Sequence, residues 1–269
     1  MNLSALKTPG VYINEVNAFP PSVAQVATVP AFIGYTAINS GEIAKVNSFV
    51  EFEQIFGTAP EPKNVSVVLD DLLNPHQDTA VEESIFKLYN SLKLFYANGG
   101  GVCYIASVGT YKNEDGSTNT LNKDAFLDGL SNLNQIDEPT IIAMPDAVGL
   151  TADALASLQQ SVLLQCATLK DRFAILDVQE QKHAIKSKMD YSIEQFRDKI
   201  GSDDLKYGAA YYPHLICNFD TPIRFKNIQW SIVSGGSGFA SVLASGFSHL
   251  EIGRACITST IFRVKNNSR

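Results

Sequence analysis

Asp146 and Asp177 fall at or just beyond the ends of apolar, β-prone runs, the position where parallel α/β folds keep catalytic carboxylates. As general acid and base they would need a His or Lys partner. Neither has one immediately beside it, so helix capping or loop hydrogen bonding is the preferred reading of both. The alternative is a small-ligand-binding or hydrolytic α/β site built on the two carboxylates. His76, His183, His214 and His249 show neither HExxH nor HxH spacing, so a metal site would have to be assembled from distant residues. Surface or capping histidines are expected, with no catalytic, metal or cofactor-binding residue. Cys103, Cys166, Cys217 and Cys256 form no CxxC pair and lie among apolar neighbours, which predicts buried free thiols in a reducing compartment. Gly99-Gly100-Gly101 follows a helix and precedes a strand, the reverse of a phosphate loop, so it reads as a helix stop with close backbone packing. Gly235-Gly236-Ser237-Gly238-Phe239 has Phe where a nucleophile elbow needs its last Gly. Asp70-Asp71 is a solvated loop pair.

The elements around these residues follow from periodicity. Thr8-Pro9-Gly10 is turn chemistry, and Val11-Tyr12-Ile13-Asn14-Glu15-Val16 is a β-prone run closed off by Phe19-Pro20-Pro21. It reads as an isolated extended arm. Strands are expected at Val23 to Val29 and Ala31 to Tyr35. Ser48-Phe49-Val50-Glu51 is a capping box opening a helix with Phe49, Phe52 and Phe56 on one face, ended by Gly57. Pro60 to Asp78 reads as a proline-rich loop, and Thr79 to Asn98 as one helix with Ile85, Leu88, Leu92 and Phe95 inward. A strand over Val102 to Val108 follows. The polar stretch Tyr111 to Asn122 is the best boundary.

From Lys123 the pattern alternates regularly. Helices are expected at Asp124 to about Asn134, at Thr151 to about Lys170 with Leu155, Leu158, Val162, Cys166 and Leu169 inward, and at about Gln181 to Ile200 with Ile185, Met189, Ile193, Phe196 and Ile200 inward. Strands are expected at Thr140 to Met144, Phe173 to Val178 and Tyr207 to Tyr212. Such alternation implies an α/β layer with a mostly parallel sheet, because parallel neighbours need crossover helices. Beyond Pro213 the periodicity fades. The domain reading is therefore an extended arm at 1–19, an N-terminal α+β part at 20–111, an α/β domain at 112–215 and a divergent or shortened C-terminal segment at 216–269.

Composition narrows the function. The chain has 269 residues, 45% of them hydrophobic and 18% charged, a profile of folded rather than disordered proteins. Its longest apolar stretch, Val29 to Tyr35, is broken by Pro30 and Gly34 and is far too short to cross a bilayer. Met1 to Lys7 carries one basic residue and no apolar stretch follows, so no secretory signal is expected. A net charge of -7 argues against nucleic acid as the main partner. The charge is uneven, with Arg254, Arg263, Lys265 and Arg269 all following the last acid, Glu251.

Several segments also read together as one family. Thr8 to Val16, Val29 to Thr36, Ser48 to Gly57, Leu94 to Ile105, Pro139 to Asp146 and Gly208 to Pro213 occur in the order and approximate spacing of contractile tail sheath proteins. The chain resembles a sheath subunit of a phage-tail-like contractile injection system, of the extracellular kind typified by the antifeeding prophage and the Photorhabdus virulence cassette particles. The likeness fades after about Ile228. The resemblance implies a tail-sheath-like fold with an extended N-terminal β arm. It also implies a structural, non-enzymatic subunit that polymerises around an inner tube and contracts to drive that tube into a target cell. The implied partners are other sheath subunits, an inner tube protein and baseplate components, with assembly in the cytoplasm, no nucleic acid and no direct membrane insertion. A non-contractile adaptor on the same fold is a further alternative. For the arm the residues agree: Val11 to Val16 lacks an evident partner in its own chain, and strand addition to a neighbour would satisfy its backbone.

Overall fold

The computed structural model describes residues 28–69, 80–180, 187–215, 217, 219, 223 and 228–232. The expected arm at Val11 to Val16 lies outside them, as does most of the strand expected at Val23 to Val29. The chain enters the fold through β1 (Pro30–Thr36), whose seven residues are all buried. A strand buried on both faces belongs in the middle of a covered sheet. Accordingly β1 lies between two parallel neighbours, β5 (Cys103–Thr110) and β6 (Ile141–Ala143). The six-stranded sheet is completed by β2 (Ile43–Val46), β7 (Phe173–Asp177) and β8 (Gly208–Tyr211), in the order β2-β5-β1-β6-β7-β8. Only β2 runs antiparallel to its neighbour.

Period-two alternation along β1 divides the core. Ala31, Ile33 and Tyr35 pack with residues of α3 (Lys123–Leu133) and α4 (Ala152–Leu169), including Phe126, Leu133, Leu158 and Val162. Phe32 joins the opposite cluster with Phe52 and Phe56 of α1 (Phe49–Phe56) and Leu88 and Leu92 of α2 (Leu88–Ala97). Both faces of the sheet are thereby covered. Strands β6, β7 and β8 lie side by side and parallel, as the alternation predicts, with α4 leading into β7 and α5 (Lys188–Ile200) leading towards β8. Three strands of this sheet precede residue 111 and three follow it, and Tyr111 itself is buried.

Several expectations need correction. Within the stretch read as a loop, Asn64–Leu69 forms β3, and the first part of the expected helix at Thr79 to Asn98 is instead β4 (Ala80–Glu82), paired antiparallel to β3. The helical spacing was misleading because Ile85 packs against the core from a bend between β4 and α2. Beyond Pro213, where periodicity fails, Ile228–Ile232 forms β9 and pairs in parallel with β3, so the chain returns to build a second, three-stranded sheet. Pairing with a remote strand overrides weak local signals. On α4, Leu169 is partly exposed while the other four expected residues are buried. On α5, Met189 is exposed, Ile193 and Phe196 are half-buried and Ile200 is buried, while Ile185 lies outside the described residues.

Local capping explains most helix starts. The Ser48 hydroxyl accepts from the Glu51 amide at 3.2 Å, and the Glu51 carboxylate accepts from the Asn47 amide at 2.8 Å. Asn122, Thr151 and Ser187 cap α3, α4 and α5 in the same manner. The exception is α2, preceded by Lys87, which makes no side-chain capping bond. Position on α4 sets the energetics: Leu158→Ala removes a fully buried side chain and should cost ~2 to 5 kcal/mol in denaturant unfolding. Leu169→Ala on the same helix should cost clearly less, and equal losses would mean that α4 is rotated from the orientation described.

Candidate functional site

The missing cap of α2 comes from Asp146. Strand β6 ends in a short 3₁₀ turn, Pro145–Gly149, which directs the Asp146 side chain back into the fold, where it is fully buried. Its Oδ1 accepts from the Leu88 amide at 2.7 Å and from the Lys87 amide, while Oδ2 accepts from the Tyr35 amide of β1 at 2.7 Å. One carboxylate thus satisfies two orphan amides at a helix start and one strand amide. Burial pushes its pKa up to about 6, opposed by the three amides and the Lys87 charge.

The backbone is shaped to admit this group. A Cβ at Gly34 would lie 2.6 Å from Asp146 Oδ2 and 3.1 Å from Leu88 Cβ, so glycine at 34 allows the carboxylate to reach the strand. Beside it, the Tyr35 hydroxyl accepts from the Asn122 amide at 3.0 Å and donates to the Thr120 carbonyl at 3.3 Å. Burial raises the Tyr35 and Tyr111 pKa values, with Asp146 adding in the same direction. On the other face of β1, the Thr36 hydroxyl donates to the Ile38 carbonyl at 2.7 Å. Ser107 therefore donates to Thr36 Oγ1 across the 2.6 Å contact. Apart from the Thr36–Ser107 pair, the partners of Asp146, Tyr35 and Thr36 are backbone groups. Their arrangement fixes backbone segments.

Asp177 stands at the end of β7. Its carboxyl is half-buried, with its pKa raised by burial and pulled down by the nearby His214. His214, however, places Nε2 2.9 Å from the Val178 carbonyl, so that nitrogen is the donor to backbone. No hydrogen bond among the described residues joins His214 to Asp146 or Asp177. His76, His183 and His249 lie outside those residues. Cys103 and Cys166 are buried, and burial lifts the Cys166 thiol to about 11. Cys217 is exposed, a correction to the expected burial: it follows β8, beyond the covered sheet. Among the described residues no group of three or more His, Cys, Asp or Glu could hold a metal ion.

The Gly99 to Gly101 run closes α2. Gly99 has a φ of 82°, its amide bonds to Tyr96 and the Gly100 amide bonds to Phe95 at 2.9 Å. A Cβ at Gly100 would lie 2.5 Å from the Phe95 ring. Strand β5 then begins without an intervening helix N-terminus, which is the order that reads against a phosphate loop. The segment singled out for subunit contact, Val11, Tyr12, Ile13, Asn14, Glu15 and Val16, lies outside the described residues, as do Asp70, Asp71 and Gly235 to Phe239.

The architecture defines a mixed α/β protein with a mostly parallel sheet flanked by helices. Among solved structures, this fold is similar to that of a chain in the cryo-EM structure of the anti-feeding prophage baseplate in its contracted state. The match has a TM-score of 0.50 and 23% identity over 80% of this chain, and it spans about 50% of the length of that one. No protein-family model matches the sequence, and no curated protein matches it.

Asp146 makes stability depend on pH in a definite direction. Its native pKa of about 6 lies above the ordinary 3.8, so between those values the native state holds a proton that the unfolded chain has released. The group's contribution is fully present below about pH 4 and is lost as pH rises through 6, by roughly 3 kcal/mol in all. Asp146→Asn cannot titrate, and its amide group must face backbone donors. The variant should be less stable than the parent, with the gap widest near pH 4 and narrower at pH 7 in urea unfolding. A gap independent of pH would show that this carboxyl does not titrate in that range.

Proposed function

We propose that this protein is a structural sheath subunit of a phage-tail-like contractile injection particle, which polymerises around an inner tube and contracts to drive the tube into a target cell. The observation that carries the reading is the likeness of its fold, over 80% of the chain, to a chain in the anti-feeding prophage baseplate. The ordered run of sheath-like segments from Thr8 to Pro213 supports it independently. In this reading the partners are further sheath subunits, the tube protein and baseplate components. Assembly takes place in the cytoplasm, without nucleic acid or membrane insertion. Among the described residues no helix is long and apolar enough to cross a membrane.

The protein is read as non-enzymatic. Both oxygens of Asp146 are engaged by backbone amides and the side chain has no exposed surface, an arrangement suited to holding segments together. The hydrolytic or small-ligand-binding alternative on Asp146 and Asp177 would need that carboxylate opened to solvent.

Electron microscopy of the purified protein with tube and neighbouring components tests this directly. Helical tubes or striated sheaths are expected, and saturable binding of a small ligand by a monomer would favour the alternative. Two variants separate assembly from folding. Proline at Ile13 removes a backbone donor from the arm and should block assembly while leaving the melting temperature nearly unchanged. Phe52→Ala empties a fully buried site between α1 and α2 and should lower the melting temperature first. An Ile13→Pro chain that unfolds would make the segment an internal strand.

A further inference from the structure

Asn98-Gly99 is the one Asn-Gly sequence in the chain, and it falls where α2 ends. An asparagine before glycine is the pair most open to loss of the side-chain amide, because glycine has no Cβ to hinder its nitrogen or to restrict the turn that brings the atoms together. Ala97, Asn98 and Gly99 are all exposed, so water and hydroxide reach them. Sequence and exposure both mark the pair as reactive.

The fold nevertheless holds the reacting atoms apart. Reaction requires the Gly99 nitrogen, freed of its proton, to reach the side-chain carbonyl carbon of Asn98. With a φ of -94° and a ψ of 16°, Asn98 turns that nitrogen away from its own Cβ. The Gly99 amide donates to the Tyr96 carbonyl at 3.1 Å, which keeps its proton engaged, and the Asn98 side-chain amide donates to the Leu94 carbonyl at 2.7 Å. The Gly100 amide adds a bond to the Phe95 carbonyl at 2.9 Å, and the Phe95 ring packs edge-on against Phe32 of β1 with centroids 5.4 Å apart. All of these contacts depend on the last turn of α2 being wound. Helix ends open more readily than a fold as a whole.

We propose that Asn98 is a site of spontaneous deamidation, shielded by the wound end of α2 and reactive only when that end opens. In the open state the Gly99 nitrogen forms a bond to Asn98 Cγ, the Cγ–Nδ2 bond breaks and ammonia leaves, which closes a succinimide ring. Water then opens the ring at one of its two carbonyls, giving either aspartate at 98 or isoaspartate, in which Cβ has entered the main chain. Neither product rebuilds the helix stop. A carboxylate has no proton to donate to the Leu94 carbonyl, and its charge falls at the negative end of the helix dipole. Isoaspartate also lengthens the backbone directly before Gly99, whose φ of 82° forms the turn. The change is one-way, and modified chains hold the end of α2 less firmly.

The test incubates the full-length protein in mildly alkaline buffer, folded in one arm and unfolded in guanidinium chloride in the other. Peptide mapping by mass spectrometry, with chromatographic separation of aspartate from isoaspartate, follows residue 98. Both products are expected in the unfolded arm, forming at least ~10-fold faster than in the folded chain, a factor set by how seldom the helix end opens. Equal rates in the two arms would show that α2 does not shield the site, and an unmodified Asn98 in the unfolded arm would show that there is no such site. Either result overturns the proposal. The full-length Asn98→Asp variant supplies the product directly and should melt at a lower temperature than the parent; one that melts no lower overturns the loss of the helix stop.

Discussion

Three backbone amides from two separate parts of the chain end on one carboxylate, and much of the architecture follows from that convergence. Helix α2 has no local cap, and β1 offers the Tyr35 amide at the very place where the 3₁₀ turn after β6 arrives. Without Asp146, the buried Tyr35 and Leu88 amides would be left without a partner, at about 1 to 3 kcal/mol each, and the part-buried Lys87 amide would lose its acceptor. With it, the helix that covers one face of the sheet is tied to the central strand and to the turn leaving β6. Gly34 follows as a necessity, since any side chain there would occupy the space of the Asp146 oxygen. The burial of Leu88 follows too, because its amide is held at the carboxylate while its side chain packs with Phe52 and Leu92.

That constraint also bears on function. A carboxylate just past the end of a parallel strand sits where catalytic acids are found in this class of fold. What distinguishes Asp146 is the identity of its partners. Catalytic carboxylates face a cleft and a second titratable group, whereas this one faces amides, and its nearest phenols, Tyr35 and Tyr111, are themselves raised by burial. Asp177 and His214 come closer to a working pair, yet the histidine donates to the Val178 carbonyl. Position in the fold draws attention to both carboxylates, and what separates them is that Asp146 is held by three backbone amides.

What was legible in the sequence was what is encoded locally. Ser48 announces its helix because a cap acts within three residues, and α3, α4 and β6 to β8 emerge from periodicity, whereas the helix expected from about Gln181 starts at Lys188, after its cap Ser187. Asp146 was readable as a capping or loop residue, but its helix lies 58 residues upstream and its strand partner 111, and no spacing rule reaches that far. Strands β4 and β9 were missed for the same reason. Three residues at Ala80–Glu82 have no period to detect, and they are strand only because β3 lies alongside. The true start of α2 at Leu88 was not legible either, because the expected helix began at Thr79, and Lys87 before it offers no side-chain acceptor that would mark a helix start.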